Sequence, residues 1–81
     1  MLMKFPQYRK YKNGRSYFKI ENELNFVELK LHGESVEFYT IEAKILPDRN
    51  YIHDMLYNYE MNWKKIDKDE FEAFRAKYSD G

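Results

Sequence analysis

Apolar and polar residues alternate through the first half of this chain, whereas apolar residues recur every three or four positions in the second. Val27, Leu29 and Leu31 alternate with Glu28 and Lys30, which predicts a half-buried strand over 25–32. Upstream, Asn13-Gly14 separates two strand-like runs, 8–12 and 15–20. Asn-Gly tolerates the two positive φ angles of a type I′ turn, so it predicts a β-hairpin with a two-residue loop. Downstream, Gly33-Glu34-Ser35 reads as a turn into a long fourth strand, 36–45, with Tyr39, Ile41, Ala43 and Ile45 on one face. For that face to be shared with Val27, Leu29 and Leu31, the loop must hold an odd number of residues, and 33–35 satisfies this.

The period then changes. Pro47 and Asp48 suit the first turn of a helix, through a preset φ and a negative charge at the N-terminal end. Ile52, Met55, Leu56 and Tyr59 follow at helical spacing, with the exit expected in 58–62. Trp63 and Ile66 mark a short extended piece, either a fifth strand or a connector. Asp67-Lys68-Asp69-Glu70 has the form of a capping box, and Phe71, Phe74 and Tyr78 make a second apolar stripe behind it. The order is ββββαβα, or ββββαα if Trp63 lies outside a strand. Strands grouped ahead of helices predict an α+β fold. Its antiparallel sheet has four or five strands, followed by two helices packed on one face.

At 81 residues the chain forms one small domain, 1–81, with frayed ends at 1–4 and 79–81. A domain of this size buries only about 60% of its unfolded surface. There is no cysteine, which removes disulfides and thiolate chemistry and fits a reducing compartment. No apolar run approaches the roughly 18 residues of a membrane helix, and residues 1–6 lack a secretory apolar stretch. The expectation is a soluble cytoplasmic protein with no membrane partner.

Charge changes the picture because it is segregated. The 14 basic and 14 acidic residues cancel. Yet residues 1–20 hold Lys4, Arg9, Lys10, Lys12, Arg15 and Lys19 with no acid, and 21–43 hold six glutamates against Lys30 alone. In the first hairpin, Lys12 is expected opposite Arg15, Tyr11 opposite Ser16, Lys10 opposite Tyr17, Arg9 opposite Phe18 and Tyr8 opposite Lys19. Alternation puts Arg9, Tyr11, Phe18 and Ile20 on the core face, and Tyr8, Lys10, Lys12, Arg15, Tyr17 and Lys19 on the other. Cations interleaved with rings suit single-stranded nucleic acid. Glu28 and Glu42 on the same side, with Glu21 and Glu23 nearby, could equally neutralise them. The same alternation places Phe26 and Phe38 on the outer side of the sheet. There they form either an exposed apolar patch fit for a second copy, or a second core beneath a helix.

The residue types that carry catalysis are present without the spacing it needs. His32 and His53 sit in different elements without metal-ligand spacing. Ser16, Ser35 and Ser79 lack a nucleophile elbow, and Gly14, Gly33 and Gly81 form no phosphate loop. Trp63 reads as a core anchor. The aromatic run 13–20 lacks the spaced Gly-aromatic pattern of RNA-recognition strands, and no family is inferred. No catalytic residue, metal or cofactor is expected. The expected function is a non-enzymatic protein-interaction or regulatory module, self-associating through the outer sheet face. The alternative is a nucleic-acid-binding accessory protein using the basic aromatic hairpin face.

Overall fold

A computed structural model describes residues 3–78. The elements are β1 (Gln7–Tyr11), β2 (Ser16–Ile20), β3 (Asn25–His32), β4 (Ser35–Glu42), α1 (Leu46–Tyr57), a single 3-10 turn (Tyr59–Met61), β5 (Trp63–Ile66) and α2 (Lys68–Tyr78). The fold is α+β with one antiparallel sheet in the order β4-β3-β2-β1-β5. Trp63 therefore opens a true fifth strand, paired with Tyr11 of β1. Most of the residues expected to fray lie outside the described range. Of those inside it, Met3 is half-buried against the core, and Gln7 Nε2 donates to the Lys4 carbonyl at 2.6 Å.

The first hairpin keeps the expected register, Tyr8↔Lys19, Arg9↔Phe18 and Lys10↔Tyr17, although its turn differs. The loop has four residues, 12–15, and Gly14 N donates to Tyr11 O at 2.9 Å. Gly14 has φ +74° while no non-glycine among the described residues has a positive φ, so Asn13 cannot fill a type I′ position. Instead the Asn13 side chain accepts from Arg15 N at 2.8 Å. Register survives because a four-residue loop centred on the same bond pairs the same strand residues.

The second hairpin departs further. Ser35 pairs with His32, so the loop is only Gly33-Glu34. Gly33 at φ +59° supplies the one positive φ that a type II′ turn needs at its first central position. An even loop reverses the expected parity: Val27 lies opposite Thr40, Leu29 opposite Phe38 and Leu31 opposite Val36. Tyr39 and Ile41 fall on the other side, opposite Glu28 and Phe26.

Both faces of the sheet are apolar, and each takes one helix. This corrects the expectation that both helices share a face. Phe18, Ile20 and Phe26 pack against Ile52, Met55 and Leu56 of α1, with Trp63 and Ala43 closing the cluster. Tyr8, Val27 and Leu29 pack against Phe71 of α2, with Tyr17, Val36, Ile66 and Phe74 around them. α2 is capped as expected, Glu70 N donating to Asp67 Oδ1 at 2.8 Å. α1 has proline in its first turn and no side-chain N-cap. Its C-terminal turn is held by Arg9, which is only 2% exposed. Arg9 Nε donates to Met55 O at 2.8 Å and Nη1 to Tyr8 O at 2.8 Å, and the guanidinium lies 4.6 Å from the Tyr59 ring centroid. A buried cation is thus placed at the negative end of a helix, where orphan carbonyls need donors. Burial pushes its pKa down from the usual arginine value. No helix of the described residues is long and apolar enough to cross a membrane.

Candidate interaction site

The expected binding face is divided by α2. Tyr8 is buried against Phe71, with ring centroids 5.3 Å apart, and Tyr17 stacks on Phe74 at 3.8 Å. Lys10 is paired with Glu70 of α2 at 2.6 Å, a hydrogen bond that holds its ammonium above the usual lysine pKa. Burial, and then the charges of Glu72 and Glu21, raise the Tyr8 hydroxyl. Lys19 is half-buried, while Lys12 and Arg15 stay exposed at the hairpin tip. Of the alternatives open for this side, the structure takes the second core under a helix, at least over β1 and β2.

The two phenylalanines do not share a surface. Phe26 is opposite Ile20, 4% exposed and part of the α1 core. Phe38 is on the α2 face and 60% exposed. The acids are also redistributed. Glu28 lies on the α1 face and accepts from Ser16 Oγ at 2.8 Å, and Glu42 lies at the sheet edge, 3.5 Å from Lys44. Neither reaches the hairpin cations, so Glu70 of α2 is the acid that meets Lys10. The histidines are separate: His32 pairs with Glu37, and the His53 ring lies 4.8 Å from that of Tyr57 on α1.

What remains open is β4. Its eight residues run in unbroken register with β3 and form one end of the sheet. Leu31 N donates to Arg15 O, and Ala43 N donates to Leu24 O. These two bonds fix the alternation. Odd-numbered residues of β4 face β3, so the backbone N–H and C=O groups of Val36, Phe38, Thr40 and Glu42 point away from the sheet. Phe38 flanks this row on the α2 side, where it walls a shallow groove of about 210 Å³ with Lys19, Phe71 and Arg75. Tyr39, 40% exposed, flanks the row on the α1 side. A hydrogen bond from Tyr39 to Glu37 and nearby acidic charge raise the Tyr39 hydroxyl pKa. Such an edge has the backbone geometry to accept another strand.

Sequence reading named Phe38 and missed the rest. The β-rich run Val36-Glu37-Phe38-Tyr39-Thr40-Ile41, free of Pro and Lys, was the available signal for an unprotected edge. Chain order did not say that this strand would end the sheet. Comparison with protein-family models, curated proteins and solved structures finds no match.

Proposed function

We propose that this protein is a non-enzymatic interaction module that binds by adding a partner strand to the free edge of β4. The observation that carries this is the unpaired backbone row at Val36, Phe38, Thr40 and Glu42, flanked by exposed rings on both sides. Main-chain hydrogen bonds along an edge supply affinity, and side chains alternating on the two faces supply selectivity. Natural proteins blunt such edges unless they use them.

The test is capture from host lysate on immobilised protein, with and without nuclease, beside a Thr40→Pro variant. Thr40 N–H points outward, so proline removes an edge donor and leaves the β3–β4 ladder intact. Capture that survives nuclease and is lost in Thr40→Pro supports the reading; capture unchanged by Thr40→Pro overturns it. Nuclease-sensitive, salt-dependent capture would favour a nucleic acid on Lys12 and Arg15 instead. That mode would work without Tyr8 and Tyr17 as stacking platforms, since both lie under α2.

A further inference from the structure

We infer that the strand fitting this edge is β4 of a second copy, in a twofold antiparallel pair centred on Tyr39. This rests on the edge reading above and adds the occupant and its register. A twofold axis perpendicular to the sheet keeps each face continuous, so opposed residues must have the same parity. Their numbers then sum to an even value. β4 spans Ser35–Glu42, which leaves two central registers: Phe38 opposite itself, or Tyr39 opposite itself.

Two features choose between them. The outward-facing residues are Val36, Phe38, Thr40 and Glu42. Centring on Tyr39 opposes Phe38 to Thr40 and Val36 to Glu42, so every outward group of both copies is bonded within the strands. Centring on Phe38 pushes Glu42 opposite Glu34, which lies in the turn, and that end of the ladder is lost. Charge agrees. The Tyr39 register sets Glu34 opposite Lys44 of the other copy at both ends, whereas the Phe38 register sets Glu34 against Glu42. In the Tyr39 register the two Tyr39 rings meet on the α1 face. The two Phe38 rings meet diagonally on the α2 face, within aromatic reach. Both exposed rings of β4 are covered by one symmetry operation, and two five-stranded sheets become one.

The absence of cysteine gives a direct test of register. A non-hydrogen-bonded antiparallel pair has Cα atoms about 4.5 Å apart, inside the disulfide range of about 4.4–6.8 Å; a diagonal pair at about 7–8 Å is outside it. Tyr39→Cys is expected to form a disulfide dimer in a glutathione buffer, and Phe38→Cys is not. Light scattering of the unmodified protein should show a concentration-dependent dimer, with association weakened about 100-fold by Thr40→Pro. Adding Thr40→Pro to Tyr39→Cys should abolish the cross-link. Cross-linking by Phe38→Cys instead overturns the register. A monomer up to about millimolar concentration overturns the second copy as occupant; the edge reading then stands or falls separately on Thr40→Pro in lysate capture. A dimer indifferent to Thr40→Pro overturns β4 as the contact between copies, the edge reading again being decided by lysate capture.

Discussion

β4 and β5 both end the sheet, yet one is eight residues long and the other four. β5 is anchored on both faces. Trp63 is buried with the α1 core beside Tyr11, their rings 5.6 Å apart, and Ile66 lies beneath α2. Its exposed positions are Lys64 and Lys65, charges that discourage edge pairing. α2 begins two residues after it ends. β4 carries Glu37 and Glu42 but neither lysine nor proline, shows no bulge, and keeps most of its residues exposed. One sheet therefore contains a protected edge and an unprotected one, and the difference lies in length, side-chain type and cover. An edge strand left open beside one so thoroughly closed is the physical ground for reading β4 as the working surface.

The contrast can be broken hardest at α2. Phe71→Ala removes the anchor over Tyr8, Val27 and Leu29 and should cost about 3–4 kcal/mol in chemical denaturation. It should also raise amide exchange in α2 before the strands lose protection, because the sheet is held from its other face by α1. Arg9→Met should cost about 1–3 kcal/mol, since Met55 O and Tyr8 O lose their charged donor. A cost near zero would mean that the C-terminus of α1 needs no such cap.

Alkaline pH probes the closed side through Tyr51. Tyr51 packs against Trp63 and shares a hydrogen bond with Tyr11. Burial and that bond raise its pKa far above the usual tyrosine value. The folded pKa exceeds the unfolded one. Stability should therefore be unaffected below about pH 10 and fall as pH rises beyond it, where only the unfolded chain ionises. Tyr51→Phe should flatten that fall in denaturant titrations from pH 9 to 12.

Two smaller changes sharpen the edges themselves. Lys64→Thr with Lys65→Val should leave monomer stability within about 0.5 kcal/mol and make association in light scattering less sensitive to Thr40→Pro, by opening a second edge. Glu70→Gln removes the partner of Lys10. Glu70 is 42% exposed, so solvent screening holds the expected loss to about 0.5 kcal/mol or less.

Much of this contrast was legible in the residues, and the gaps have physical causes. The first hairpin's register was readable because loops of two or four residues about the same centre pair the same strand positions. The turn type was not, because Asn13-Gly14 permits a type I′ turn without requiring it. The second hairpin failed on a single residue. Counting Ser35 as loop inverted the parity of β4 and joined Phe38 to Phe26, while taking Val27, Leu29 and Leu31 as the one buried face of β3 put Phe26 outside. The helical stripes at Ile52–Leu56 and Phe71–Phe74 showed that each helix buries a side. A stripe carries no information about which face of the sheet it will meet. Arg9 stood in the right place on the core face, but its role at the end of α1 depends on a contact 46 residues away.

The order of elements along the chain has a consequence for synthesis. The four-stranded meander is complete by Glu42, whereas β5 and α2, which close one edge and one face, come after it. On the ribosome, Tyr8, Tyr17, Val27 and Leu29 would wait uncovered until α2 emerges. A nascent chain is therefore stickiest on the face that the finished protein hides, and its lasting edge at β4 is formed before that face is sealed.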